Sequence, residues 1–383
     1  MKTKTVIVVG AGIFGVSAAL ELHRRGWEVQ LLDPGPLPNP RGQSVGSRMM
    51  IRLEYRSDEA YMGLVEASLA GWREWNQTWT EPPFHETGLL VLQRTAPAAG
   101  EFEYESYQTL LKRGHHPTKL DGNGIRSRFP AWNVERYGHG YFNPEGGYVN
   151  GKQVLDQLLE QLRATQISLH EGQRFDHLVT SNARVEGVMT TEGKQFSGDR
   201  VVLAAGAWTP QLLPALAPAF RPNGLPTFQL RPERPEHFLP SVFPTFIADI
   251  ANTGYFGYPL NEQDGLVVIG RQGRGRVVEL DEASIASQAE IALMRLFLAD
   301  TFPELFKAQL VATHFVPFRE PWDGHLWIAA DPEQLGLIVA TGGDHAFKFA
   351  PILGALLADC AEGQQNPFLQ KFCWRPDIRP ADA

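Results

Sequence analysis

The sequence predicts an α/β protein, with a Rossmann-like dinucleotide-binding domain joined to a second, antiparallel-sheet domain. Three observations carry that expectation. The run Gly10-Ala11-Gly12-Ile13-Phe14-Gly15 follows a short apolar strand and opens a helix. Two further apolar runs, at 201–204 and 336–341, end far downstream in small-residue turns. Between them the chain is broken by prolines and short alternating segments, which do not suit a continuous βαβ series. A length of 383 residues with 43% hydrophobic and 20% charged side chains is enough for two such domains.

Taken in order, Val6–Val9 is apolar throughout, as expected of a strand covered on both faces. Gly10 permits the tight turn, Gly12 lets a pyrophosphate approach the backbone, and Gly15 lets helix and strand pack closely. Ile13 and Phe14 begin the helix, whose free N–H groups and partial positive charge suit phosphate. That helix runs through Val16–Leu22 and stops at Gly26. Trp27–Asp33 is the second strand, and Asp33 at its end is placed to accept hydrogen bonds from ribose hydroxyls. The Pro34–Pro40 stretch then leads the chain away from the sheet.

Residues 59–79 predict a helix whose Trp72, Trp75 and Trp79 form a packing face. Short strands and turns follow over 85–150, with one helix near 101–113. A helix spans Gly151 to Arg163, and strands follow at 166–170, 174–180, 184–191 and 200–204. Prolines recur from Pro214 to Pro244, so no long regular element is expected there. A sheet-rich region with a helix at 281–299 extends to about residue 318. The chain returns to the first domain through strands at 325–330 and 336–341 and a helix at 347–361. The expected division is 1–83, 145–215 and 320–383 for the first domain, with 84–144 and 216–319 for the second.

Composition excludes several functions. A net charge of −8 argues against nucleic acid as a ligand. Cys360 and Cys373 are too few and too late to frame disulfides or a cysteine metal site, and no metal is expected. No stretch approaches the roughly 18 apolar residues of a membrane span. The apolar run before Gly10 is four residues, which suits a buried strand better than an export signal. A cytoplasmic monomer is the expectation.

The glycine motif alone does not separate NAD from FAD. A nicotinamide domain continues βαβ after its second strand, whereas this chain departs and returns late. Three strand-to-glycine returns suggest one extended cofactor touched at several points. A nicotinamide-dependent dehydrogenase and a flavin-binding subunit without catalysis stay open as alternatives at this stage.

The residues also resemble a known family. Gly10 to Gly15 with Asp33, Arg52-x-x-Tyr55, Leu203-Ala204-Ala205-Gly206-Ala207-Trp208, Gly257-Tyr258-Pro259 and Gly342-Gly343-Asp344-His345-Ala346-Phe347-Lys348-Phe349 look like the monomeric sarcosine oxidase and N-methyltryptophan oxidase group. That group lies within the D-amino-acid-oxidase-like flavoproteins. The resemblance covers nearly the whole chain and implies an FAD-binding domain with a substrate domain. It implies FAD contacts at the glycine motif, Asp33, Arg48, Gly206, Trp208, His314 and the 342–348 segment. It also implies that Arg52 and Lys348 clamp a substrate carboxylate, with His345 lining the same pocket. The chemistry is sound on general grounds. An arginine fork and a lysine charge fix a carboxylate, so the neighbouring C–H can be aimed at the flavin. Backbone N–H groups of 345–349 would favour negative charge on the reduced ring. The substrate expected is a small amine bearing a carboxylate, with oxygen or another acceptor taking the electrons.

Departures from the family pattern qualify this. His314 stands where the family's flavin-linked cysteine is expected, so FAD is expected to be non-covalent, a histidyl linkage being the alternative. Val268 stands where an oxygen-activating lysine is expected, which points toward slow reaction with oxygen. Phe256 and Val316 replace tyrosines of the substrate pocket, and Gln272 replaces a histidine. Met49 replaces an arginine, with Arg48 displaced by one. The Arg271-Gln272-Gly273-Arg274-Gly275-Arg276 loop reads first as a solvated turn, with a substrate carrying an extra anionic group as the sharper alternative.

Overall fold

The apolar runs singled out by the sequence become the middle of a six-stranded sheet. The computed structural model describes residues 3–45, 48–272, 280, 285–343 and 346–379. Strand β1 (Thr5–Val9) leads into helix α1 (Ile13–Arg24) and strand β2 (Glu28–Asp33). The sheet order is Trp327–Ala330, Leu337–Thr341, Arg200–Leu203, β1, β2, Ser168–Glu171. All neighbours are parallel except the Trp327–Ala330 edge. Val6, Ile7 and Val8 are fully buried, as a strand covered on both faces must be. On one face pack α1, Gly151–Arg163 and the C-terminal helix Ala350–Glu362. Gly354 makes that packing close, since a Cβ there would stand 2.7 Å from the Ser17 carbonyl oxygen. A three-stranded meander, Phe175–Ser181, Arg184–Thr190 and Gln195–Ser197, helps cover the other face.

A second sheet has eight strands, in the order Gln309–Pro321, Phe220–Arg231, Leu266–Arg271, Tyr255–Asn261, Thr245–Ala248, Leu89–Gln93, His139–Asn143, Thr118–Asp121. Its neighbours are antiparallel, with one parallel pair between Thr245–Ala248 and Leu89–Gln93. Its core is aromatic, built on Trp132, Phe243, Phe246 and Phe302. A small sheet joins the two halves: β3 (Arg48–Arg52), Gly146–Asn150 and Phe84–His85. Helix α2 (Glu59–Thr78) lies beyond it, with Asp58 capping its N-terminus. The strands of the six-stranded sheet all fall within 1–83, 145–215 and 320–383. Those of the eight-stranded sheet come from 89–143 and 220–321.

Three local expectations are corrected. The proline-rich segment holds a twelve-residue strand, Phe220–Arg231, despite Pro222 and Pro226. Along its first half this strand has a ladder neighbour only on the Gln309–Pro321 side, so a missing N–H can face the open edge. The helix expected from 281 begins at Gln288, where Ser287 and Glu290 form a capping box; residues 281–284 lie outside the described ones. Lys348 stands in a 3₁₀ turn, Ala346–Phe349, ahead of the C-terminal helix rather than in that helix's first turn.

Candidate active site

A cavity of about 1260 Å³ opens between the two large sheets. It runs from the C-terminal ends of the parallel strands to the small joining sheet. Ligands of open parallel sheets bind at those strand ends, where helix N-termini and loops converge. The cavity exceeds the ~300–1,000 Å³ of an ordinary small-molecule pocket.

Backbone builds its nucleotide end. Gly10 has φ +101°, and a Cβ there would stand 2.5 Å from the Ala204 carbonyl oxygen. A Cβ on Gly15 would collide with the Gly10 carbonyl oxygen. Both glycines are therefore fixed by close approach rather than by helix propensity. Gly12 precedes α1 without a side-chain cap, and the Ile13 N–H donates to Ser44 Oγ at 3.0 Å. Asp33 is buried at the end of β2. Its Oδ2 accepts from the Ala11 N–H at 2.9 Å, and its Oδ1 accepts from the Gly35 N–H and Asn39 Nδ2. The carboxylate thus ties the glycine turn to the Pro34–Pro40 loop. Gly206, at φ +54°, and Trp208 line the same wall after Arg200–Leu203. Gly342 and Gly343 do so after Leu337–Thr341, and Ala346, Phe347 and Lys348 continue it. A Cβ on Gly342 would stand 2.6 Å from Leu326 Cδ2. His345 lies outside the described residues, as do Arg274 and Arg276 of the arginine loop.

Side chains build the other end. Lys348 is 5% exposed, and its Nζ donates to Tyr55 Oη at 2.9 Å. Arg52 stacks its guanidinium over the other side of this small group, 4.9 Å from the Tyr55 ring centre and 5.5 Å from that of Phe102. Arg52 Nη1 is buried and has no hydrogen-bond partner among the described residues. Tyr55 is stacked on Tyr61 at 4.8 Å with a 7° interplanar angle. Burial pushes the Tyr61 phenol well above its ordinary range, and its oxygen accepts the Leu326 N–H at 3.2 Å. The backbone of Lys348 is held separately. Its carbonyl accepts Ser68 Oγ–H at 2.6 Å and the Trp72 indole N–H at 2.8 Å, both from α2. Phe256, Gln272 and Val316 line the cavity together, and the Gln272 N–H donates to the Gly254 carbonyl at 2.7 Å.

Two expected contacts are corrected. Arg48 borders the cavity, but its guanidinium is spent on the second sheet. It donates to the Pro259 and Leu266 carbonyls at 2.6 and 3.0 Å and pairs with Asp264 at 3.2 Å. It therefore fastens β3 to a hairpin of the second sheet. His314 pairs across its strand with Thr227 but is exposed and absent from the cavity wall, which along this strand ends at Val316. Val268 is buried against Tyr148 and Tyr258 and also stands outside the wall.

Sequence reasoning missed Asn39, which holds Asp33 from inside the Pro34–Pro40 stretch read as a connection, and Ser44, which accepts the Ile13 N–H from beyond that stretch. Trp72 is expected only as part of a packing face, and Ser68 is not singled out. Their spacing of four on α2 puts a hydroxyl and an indole N–H on one face, and that was the available signal.

These features suit FAD. The cradle closes if Gly10 or Gly15 gains a Cβ, an acid ends β2, and three strand ends contribute glycines to one long cavity. Fold and site together define a flavoprotein oxidoreductase. The family model described as FAD dependent oxidoreductase matches residues 5–360, and the chain belongs to that family. It is similar to the monomeric sarcosine oxidase of Bacillus sp. (strain B-0618), at 24% identity over 365 residues, covering 93% of this chain and 91% of the relative. It is also similar to the N-methyl-L-tryptophan oxidase of Salmonella arizonae, at 26% over 365 residues, covering 93% and 94%. Among solved structures, amadoriase I of Aspergillus fumigatus superposes with a TM-score of 0.83 at 21% identity, covering 98% of this chain and 90% of that one. A modified fructosyl peptide oxidase of Aspergillus nidulans does so at 0.86 and 20%, covering 99% and 95%. The chain is thus an FAD-dependent enzyme, and FAD rather than a nicotinamide is its cofactor. No helix among the described residues is long and apolar enough to cross a membrane.

Proposed function

We propose that this enzyme oxidises a carbon–nitrogen bond of a carboxylate-bearing secondary amine or N-alkyl amino acid to an imine. One observation carries the reading: Arg52 and Lys348 converge on Tyr55 at one cavity wall, and a buried guanidinium N–H of Arg52 has no partner among the described residues. An unsatisfied buried donor is costly unless a ligand completes it. A carboxylate is the complement of an arginine fork beside a lysine charge. Holding it fixes the position of the adjacent C–H, which is most of what the protein must supply. Bound FAD supplies the two-electron acceptor for that C–H as a hydride equivalent. The amine gives up the hydride in its neutral form, and water hydrolyses the imine. Phe256, Gln272 and Val316 bound the space left for the rest of the substrate. The relatives named for sarcosine and N-methyl-L-tryptophan, both N-methyl amino acids, support the substrate class.

FAD is held non-covalently in this reading, since neither Cys360 nor Cys373 lines the cavity and His314 is exposed away from it. The electrons pass to oxygen or to another acceptor. Val268, buried among aromatic rings, favours an amine dehydrogenase with slow oxygen reactivity, because a cation that would steady developing superoxide is missing from that position. Anaerobic mixing with a panel of N-alkyl amino acids tests the main reading. A member of the panel should bleach the flavin, and Arg52→Ala should slow that bleaching by about a hundredfold or more. Bleaching unchanged in Arg52→Ala would remove the carboxylate clamp.

A further inference from the structure

Behind Arg52, away from the cavity, lies a polar cluster that the proposed chemistry does not use. Glu54 is completely buried two residues along the chain. Its Oε1 accepts Asn143 Nδ2–H at 3.0 Å, while Oε2 has no partner among the described residues. The Tyr141 hydroxyl is likewise buried and without a hydrogen-bond partner there. Arg52, Glu54 and Tyr141 are close enough that each feels the charge of the others. Glu103 and Tyr107 also face Tyr141 from the Phe102–Lys112 helix. Among the described residues no carboxylate lies within ion-pair distance of Arg52, and the Glu54 carboxyl, which feels the Arg52 charge, closes no salt bridge with it.

A fully buried carboxyl with one hydrogen-bonded oxygen and one bare oxygen is stable chiefly as the neutral acid. Placed behind the arginine that faces the cavity, it controls how much of that arginine's charge a ligand meets. We propose that Glu54 is a positioning residue that acts through Arg52: protonated, it leaves the guanidinium's charge to a substrate carboxylate, and ionised, it competes with that carboxylate. Burial raises the Glu54 carboxyl above the ordinary range, while the Asn143 amide and the Arg52 charge pull it down less strongly. The sign follows. Carboxylate binding is strongest while Glu54 keeps its proton and weakens as rising pH removes it. By reciprocity, binding a carboxylate draws a proton onto Glu54.

This inference rests on the carboxylate clamp proposed above, so the experiment separates the two. Butyrate and butyramide are titrated into the FAD-loaded enzyme from pH 6 to 9.5, followed by the flavin absorbance change. The wild type should bind butyrate more weakly at high pH, by about fivefold or more, the size of an ordinary coupling between sites. It should take up protons from a weak buffer on binding. Glu54→Gln, which fixes a neutral side chain of the same shape, should flatten the profile and abolish the uptake. Asn143→Leu removes the donor that favours the ionised form and should move the midpoint upward. It also provides a second variant should Glu54→Gln fail to fold. A wild-type profile that is flat, or one that Glu54→Gln leaves parallel, overturns the Glu54 proposal and leaves the clamp standing. Butyrate binding no better than butyramide at any pH overturns both.

Discussion

The two ends of the cavity are made of different material. The nucleotide end is backbone, with glycines at 10, 15 and 342 whose missing side chains let strand ends and loops approach each other. The substrate end is side chain, with Arg52, Tyr55, Lys348, Phe256, Gln272 and Val316 brought together from four separate stretches of chain. The first construction tolerates no added atoms. The second tolerates exchange of one side chain for another, so long as charge and volume are kept. A fold built this way can keep its cofactor while its substrate changes.

That contrast is open to breaking. The largest effect belongs to Gly15→Ala, because the new Cβ would overlap the Gly10 carbonyl oxygen. Purified variant should retain under about a tenth of the wild-type flavin-to-protein absorbance ratio, a loss of cradle geometry that no neighbouring side chain can relieve. Next comes Lys348→Met, which should lower kcat/KM by about a hundredfold while the flavin ratio stays near that of wild type. Flavin loss in this variant would show that the two ends are not separable. Trp72→Phe is smaller. It removes one of two donors to the Lys348 carbonyl and should cost about 1–2 kcal/mol of stability in denaturant titration. KM should rise with little change in kcat, since the lysine is displaced and not removed.

The smallest effect lies away from the cavity. His115 bridges Glu66 on α2 and Glu145 near the joining sheet. Burial works against its charge, but the two carboxylates outweigh it and hold the imidazole above its ordinary range. Its contribution is therefore complete below the unfolded-state value near 6.5 and fades as pH rises through the higher folded-state value. His115→Gln should lower the Tm more at pH 5.5 than at pH 9, by an amount matching about 1 kcal/mol or less for a half-buried pair.

The same contrast explains what the sequence disclosed. The glycine cradle is local: strand, turn and helix are consecutive, so the motif could be placed without knowing any distant contact. The three strand-to-glycine returns could be found for the same reason. The long strand Phe220–Arg231 could not, because its prolines are excused only by an edge that forms when Gln309–Pro321 arrives. The resemblance sends both Arg48 and Arg52 to a ligand, the first to FAD and the second to a substrate carboxylate. What separates them is a hairpin more than 200 residues later that takes Arg48 for itself. Lys348 was found through resemblance, while Ser68 and Trp72 show in the sequence only as two donors on one face of α2, since nothing in an amphipathic helix shows which acceptor lies across from it. Nothing local marks Glu54, whose amide partner Asn143 arrives 89 residues later in the chain.

The order of strands in the six-stranded sheet has a consequence for how the protein is made. The strand beside Arg200–Leu203 is Leu337–Thr341, and the lysine of the clamp comes seven residues after it. A ribosome emitting residues one after another delivers the glycine turn first and its last neighbours near the end. Until then the chain holds four of the six strands, with an open edge and a hydrophobic face waiting for the helix Ala350–Glu362. Free FAD therefore has little to grip during most of translation. Cofactor capture should come as one late event, and a cell short of riboflavin should accumulate full-length, unfilled chains rather than partly filled intermediates.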